Sequence, residues 1–293
     1  MINRSLLLLL LPPLFWAGNA LLARATAGDL PPVALAFWRW VLAACLILPF
    51  TGRDLWASRG ILLRHWKAVL GLAATSVAAY NTLLYLAVQT TTAINATLVG
   101  TSLPIMVLLL ARVWLGDPIR PQQALGMGVS ILGLLAVVTR GEPSRLATLT
   151  LTPGDGLMLL ASFSWAVYSV MLRRFPIPVR GFTLLSALIV LGWMMIVPFY
   201  LFELSLGYEV HVRPMTLGVI AYTAVCASLL AYYFWNMGVA AVGAPTAGLF
   251  ANLIPLFTAI LGVALLGETF AWYHALGALL IFAGIALATK RRN

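Results

Sequence analysis

The sequence predicts an all-α polytopic membrane protein: ten transmembrane helices forming two inverted five-helix repeats. Three observations predict it. Of 293 residues, 62% are hydrophobic and only 9% are charged. A soluble domain carries roughly 25% charged residues, so this chain has too few to cover a water-facing surface. The apolar residues fall in ten continuous runs near the length of about 20 residues that crosses a bilayer, without the strand-like alternation of a membrane barrel. Finally, the two halves of the chain resemble each other.

The runs are 5–23, 32–50, 67–88, 93–115, 122–139, 156–172, 182–204, 217–239, 244–266 and 271–289. Span one follows Arg4 and ends at Ala23-Arg24-Ala25, which mimics a signal-peptide cleavage site. It is longer than a usual signal core, contains Pro12-Pro13 and has a counterpart later in the chain, so it is expected to be retained. Span two carries Arg39, the sole basic residue inside a span, and Cys45. Span three places Asn81 and Tyr85 four apart on one helical face, and span four carries Asn95, Thr97 and Pro104. Span five carries Gly126 and Gly133. Span six sets Trp165, Tyr168 and Ser169 at helical spacing. Span eight repeats the polar stripe with Ser228, Tyr232 and Asn236, beside Cys226. Span nine adds Thr246, Asn252 and Pro255, and span ten Gly277 and Gly284. The two cysteines read as small buried hydrophobes. The connections are short, the longest being 51–66 and 140–155.

Lys and Arg set the orientation. Arg4, Arg53, Arg59, Arg64, Lys67, Arg112, Arg120, Arg173, Arg174, Arg180, Lys290, Arg291 and Arg292 fall on one side, against Arg24, Arg140, Arg145 and Arg213 on the other. Both termini are therefore expected in the cytoplasm. The basic residues are scattered over loops, so the net charge of +10 does not point to nucleic acid.

The halves align at an offset of 151. Leu115-Gly116-Asp117 matches Leu266-Gly267-Glu268, and Ala124-Leu125-Gly126 matches Ala275-Leu276-Gly277. Gly133 matches Gly284, Arg140 matches Arg291, and Pro104 matches Pro255. Near the half starts the offset is 149, setting Phe15-Trp16-Ala17 against Ser164-Trp165-Ala166. With five spans per copy, the second enters the membrane from the opposite side, an architecture common in secondary transporters. The boundary is placed between residues 145 and 146.

Together with Phe-Trp-Ala-Gly-Asn at 15–19 and Phe37-Trp38-Arg39, these features resemble the drug/metabolite transporter superfamily and, within it, the ten-span EamA family. The aromatic interior is similar to the amino-acid exporter branch typified by YddG. That resemblance implies export of amino acids, aromatic ones included, with tolerance of some cations. Substrate exchangers of the nucleotide-sugar or organophosphate type share the fold, but anionic phosphates favour several buried basic residues and only Arg39 is available.

A translocation path needs inward polar and aromatic groups, since polar groups in hydrocarbon are costly unless paired. Trp16, Asn19, Arg39, Asn81, Tyr85, Asn95, Trp165, Tyr168, Tyr232, Asn236 and Asn252 are the candidate substrate-binding residues; each also reads as interhelical glue or interfacial belt. By the offset, Asn81 lies over Tyr232 and Tyr85 over Asn236. Arg39 either snorkels or donates to helix carbonyls, or it meets a substrate carboxylate or holds a gate. Pro104 and Pro255 free the carbonyls of Gly100 and Ala251, as paired hinges or as static kinks. The glycines of spans five and ten point to close packing, within or between protomers. No Asp or Glu lies near the middle of a span, and the His residues lie outside the membrane core. This set offers no catalytic or metal-binding residues, no cofactor site and no proton-coupling carboxylate. The expected protein is a facilitative or exchange-type carrier in a bacterial cytoplasmic membrane, as a monomer or homodimer, with small molecules and the lipid bilayer as its partners.

Overall fold

The computed structural model describes residues 4–25, 30–266 and 269–289. The side chains of Arg4 and Arg24, the Gly267-Glu268 pair, and Lys290, Arg291 and Arg292 lie outside the described residues. Every regular element among the described residues is helical.

Among the described residues nine helices are long and apolar enough to cross a membrane: Pro32–Ala57, Trp66–Thr90, Asn95–Leu115, Pro121–Val138, Pro153–Arg174, Gly181–Ser205, Pro214–Val242, Ala244–Leu265 and Trp272–Thr289. They correspond to predicted spans two to ten. Predicted span one is shorter, Leu6–Leu22, and is broken by a turn at Leu9 and Leu10. Pro12 and Pro13 explain the break: they lack an N–H and sit in the first turn of the helix Leu11–Ala25, where none is needed. The predicted loop 51–66 is largely helical, because span two continues to Ala57 and a further turn covers Arg59–Arg64. Arg59 stacks on Trp56 at 4.5 Å and Lys67 on Trp66 at 5.7 Å, which anchors this end. Cys45 is exposed on the helix surface rather than buried, and Cys226 is half-buried; both are free thiols.

Span ten packs along span five and span seven along span two, while span six packs against spans three and four and span one against spans eight and nine. Spans five and ten meet backbone to backbone. A Cβ on Gly126 would lie 2.5 Å from the Gly284 carbonyl oxygen, and one on Gly133 2.7 Å from that of Gly277. The glycine pairs therefore act within one chain.

Spans four and nine are interrupted at corresponding places. Span four stops at Gly100 and restarts at Ser102, with Pro104 in its new first turn. Span nine tightens into a 3-10 turn at Phe250–Asn252, with Pro255 in the turn that follows. Spans three and eight each contain a π-helical stretch, Ala74–Tyr80 and Thr223–Leu230. The π stretch of span three ends just before Asn81, and that of span eight contains Ser228 and ends just before Ala231 and Tyr232. Two prolines the sequence reading passed over, Pro49 and Pro198, lie inside spans two and seven.

Candidate functional site

The largest fully buried side chains include Trp40, Trp165, Trp235, Arg39, Tyr168 and Tyr232. The interior is thus aromatic and holds a guanidinium. Arg39 is 1% exposed and does not snorkel. Its Nε and Nη2 donate to Ser228 Oγ at 2.9 and 2.7 Å, and its Nη1 donates to Asn81 Oδ1 at 2.9 Å and to the Tyr85 hydroxyl at 2.6 Å. Side-chain oxygens, not helix carbonyls, hold it. Its plane lies 5.0 Å from the Trp40 ring and 5.8 Å from the Tyr85 ring. Among the described residues no carboxylate pairs with it.

The π-helical stretches create this arrangement. A π turn offsets backbone pairing and leaves carbonyls for side chains. Asn81 Nδ2 donates to the Ser76 carbonyl five residues back, at 3.0 Å, and Ser228 Oγ to that of Thr223, also five back, at 2.8 Å. Asn81 Nδ2 also donates to the Tyr232 hydroxyl at 2.8 Å, which in turn donates to the Ser76 carbonyl at 2.8 Å. The Tyr85 hydroxyl donates to Asn19 Oδ1 at 3.0 Å. Spans one, two, three and eight are knotted around one cation.

Beside the knot lies a ring cluster. Trp165 sits 5.1 Å from Trp16, 5.0 Å from Tyr232, 5.6 Å from Trp235, 5.1 Å from Tyr168 and 4.7 Å from Tyr80. Trp16 Nε1 donates to the Ala227 carbonyl, Trp235 Nε1 to Ser169 Oγ, and the Tyr168 hydroxyl to Asn236 Oδ1 at 2.6 Å. The indole nitrogens of Trp40 and Trp165 are buried without a hydrogen-bond partner.

Nine of the eleven candidate residues therefore belong to one contiguous network, joined by these bonds and rings. Asn95 and Asn252 stand apart. Asn95 Nδ2 bonds the Thr150 carbonyl and Asp155 Oδ2, and Asp155 also accepts from Thr91 Oγ1 and the Thr152 N–H. That cluster ties span four to the start of span six. Asn252 donates to Ser130 Oγ at 2.9 Å, tying span nine to span five. Both are glue in this structure. The polar stripes of spans three and eight also do not line an open cavity; their donors and acceptors satisfy each other. Two surface depressions among the described residues, of about 320 and 300 Å³, lie elsewhere, around Tyr208 and His211 and around Trp114 and Phe175.

Sequence reasoning missed Ser76, Tyr80, Trp40 and Trp235. Trp235 lies three residues after Tyr232, so its spacing was readable. Ser76 lies five before Asn81, a π interval that α-helical periodicity puts on another face.

Spans two and seven are also tied at both ends. Asp54 accepts from Arg180 Nη1 at 3.1 Å, and Thr51 Oγ1 lies 2.7 Å from Ser186 Oγ. At the opposite end, Glu203 accepts from the Val33 and Ala34 N–H groups at 3.0 and 2.7 Å, and Tyr200 stacks on Phe37 at 4.2 Å. Asp117 pairs with Arg173 at 2.7 Å, joining spans four and six. Outside the spans, Arg145 holds the Glu142 carboxyl below its ordinary range, through a hydrogen bond first and its charge second.

The described residues form a bundle of bilayer-length helices around a buried polar and aromatic centre. The sequence profile of the EamA-like transporter family matches residues 3–139 and again 152–290, and the chain belongs to that family. It is 28% identical over 276 residues to the uncharacterized transporter YyaM of Bacillus subtilis, covering 92% of this chain and 88% of that protein. It is also 28% identical over 293 residues to an uncharacterized transporter of Archaeoglobus fulgidus, covering 99% of each. A riboflavin transporter of Brucella anthropi is 30% identical over 166 residues, 56% of this chain and 53% of that protein. A solved crystal structure superposes with a TM-score of 0.79 at 19% identity, covering 99% of this chain and 98% of that one.

Proposed function

We propose that this transporter carries amino acids, aromatic ones included, out across a bacterial cytoplasmic membrane by alternating access. The carrier is ten spans in two inverted halves, 1–145 and 146–293, with both termini cytoplasmic. The halves rock around the centre, and Pro104 and Pro255 flex at the interruptions of spans four and nine. Trp16, Asn19, Arg39, Asn81, Tyr85, Trp165, Tyr168, Tyr232 and Asn236 form the substrate site. One observation carries this reading: a guanidinium with only neutral partners lies beside a packed aromatic cluster, at a junction of helices from both halves. Amide, phenol and guanidinium groups suit the polar end of an amino acid, and the rings suit its side chain. Transport is facilitative or exchange-type, because the described carboxylates sit at span ends or in loops.

The test is counterflow in proteoliposomes across a panel of labelled amino acids. Saturable uptake stimulated by internal substrate is expected. Absence of flux for every amino acid would reject the reading, as would strict dependence on a pH gradient for the exchange-type coupling. The Brucella relative favours riboflavin as a second reading, so riboflavin belongs in the same panel.

A further inference from the structure

We infer that the centre selects solutes that bring a carboxylate on an apolar or aromatic body and, contrary to the cation tolerance that the family resemblance implies, rejects solutes whose only charge is a cationic nitrogen. The inference deepens the amino-acid reading and rests on it. Its basis is the balance of donors and acceptors. Arg39 is a buried cation whose four hydrogen bonds all go to neutral oxygens. Ser228 Oγ accepts two of these bonds and donates onward to the Thr223 carbonyl, the Tyr85 hydroxyl donates onward to Asn19, and Asn81 uses its other group, Nδ2, to donate to Ser76 and Tyr232. Two further donors, the indole N–H groups of Trp40 and Trp165, are buried without acceptors, at 0% and 1% exposure. Trp40 is the ring that faces the guanidinium, and Trp165 is the hub of the aromatic cluster.

The centre therefore has donors to spare and lacks acceptors. A buried donor without a partner is costly, and an arriving acceptor relieves that cost. An anionic acceptor also neutralises the guanidinium. A cation meets the opposite situation. The ring faces of Trp40 and Tyr85 are occupied by Arg39, and like charges repel strongly where water is excluded. The position corresponding to Arg39 at an offset of 149 is the buried Leu188, and among the described residues no carboxylate pairs with Arg39.

The test uses the wild-type chain and four ligands sharing one ring: phenylalanine, 3-phenylpropionate, 2-phenylethylamine and phenylalaninamide. Each is measured as a competitor of labelled phenylalanine counterflow. Phenylalanine and phenylpropionate are expected to compete. The amine and the amide, which lack the carboxylate, are expected to be at least about 30-fold weaker, the scale of one buried charge-assisted hydrogen bond. Trp165→Phe, which keeps a ring and removes the N–H, is expected to weaken phenylpropionate severalfold. Competition by the amine at the strength of phenylalanine overturns the inference while leaving the amino-acid reading intact. If phenylalanine itself gives no counterflow, the amino-acid reading falls and the inference falls with it.

An independent set of contacts supports a second inference. Two of the ties between spans two and seven have counterparts at an offset of 149. Thr51 corresponds to Tyr200 and Ser186 to Phe37, so the Thr51–Ser186 contact at one end matches the Tyr200–Phe37 stack at the other. Asp54 corresponds to Glu203, five residues beyond Pro49 and Pro198 respectively, and each acid reaches the start of the other helix. The geometry points to a pair of clasps on proline-jointed arms, both shut in this structure. They differ in strength. The Asp54–Arg180 pair is solvent-exposed, with side-chain exposures of 48% and 84%, whereas Glu203 is 7% exposed and caps two backbone N–H groups. Exposed pairs hold weakly and a buried, doubly bonded carboxylate holds firmly. The Arg180 end yields first.

Accessibility of single thiols tests this, in a background of Cys45→Ala and Cys226→Ala. Ala187→Cys reports the Arg180 end and Ala36→Cys the Glu203 end; both parent residues are buried. With a membrane-impermeant maleimide, Arg180→Gln is expected to raise labelling of the Ala187→Cys thiol severalfold and to leave the Ala36→Cys thiol unchanged. Glu203→Gln is expected to do the reverse. Arg180→Gln lies at an exposed position, so it carries the test even if Glu203→Gln fails to fold. Labelling that rises equally at both thiols, or at neither, in Arg180→Gln overturns the clasps.

Discussion

Asn81 and Tyr232, which correspond to each other in the sequence repeat at an offset of 151, are hydrogen bonded directly, Asn81 Nδ2 to the Tyr232 hydroxyl at 2.8 Å. Trp16 and Trp165, equivalent at an offset of 149, likewise touch, 5.1 Å between ring centroids. The bond joins spans three and eight, and the ring contact joins spans one and six. Asn81→Ala and Tyr232→Phe are expected to lower thermal stability non-additively. The coupling should be about 1 kcal/mol in a double-mutant cycle read by thermal unfolding in detergent; strict additivity would show that the bond contributes nothing.

Arg39→Lys should fail as a conservative change. An ammonium cannot reach Ser228, Asn81 and Tyr85 at once as the planar guanidinium does. Transport is expected to fall at least about tenfold, with a lower melting temperature. Wild-type counterflow in this variant would remove the four-bond geometry from the mechanism.

Tyr85→Ala and Trp165→Ala should each cut transport severely while membrane-inserted protein is retained. Tyr85 links Arg39 to Asn19, and Trp165 touches five other rings. Surface expression and initial-rate uptake together check this; unchanged flux would exclude both from the site.

Gly126→Val and Gly284→Val should be far more damaging to folding than to the site. Each introduces a Cβ within 2.5 Å of the facing backbone. Overpacking of this kind typically costs about 1–3 kcal/mol, and detergent-solubilised yield and melting temperature are the readouts. Gly128→Val, two residues along the same helix with open space around its Cβ, is the neutral control.

The helical class, the spans and the central residues were readable because they rest on composition and on a period of 3.6. Asn81, Tyr85, Tyr232 and Asn236 were found by their spacing of four. The knot they form was not readable, since it needs the π intervals that bring Ser76 to Asn81 and Thr223 to Ser228. Span one was read as one uninterrupted run because hydropathy does not register the missing N–H groups of Pro12 and Pro13. Asn95 and Asn252 were grouped with the centre because residue type alone does not separate a substrate ligand from an interhelical tie. In this structure they bond Asp155 and Ser130, apart from the central network.

A π-helical stretch is an ordinary helix that has accommodated a surplus residue. Excising one residue from Ala74–Tyr80 would let span three relax to regular winding and swing everything upstream or downstream by about 100°. Asn81 and Tyr85 would then face away from Arg39, toward lipid or another neighbour. The same holds for Thr223–Leu230 and Tyr232. Single-residue deletions in these two short windows thus offer a way to dismantle the interior while leaving composition and hydropathy almost untouched.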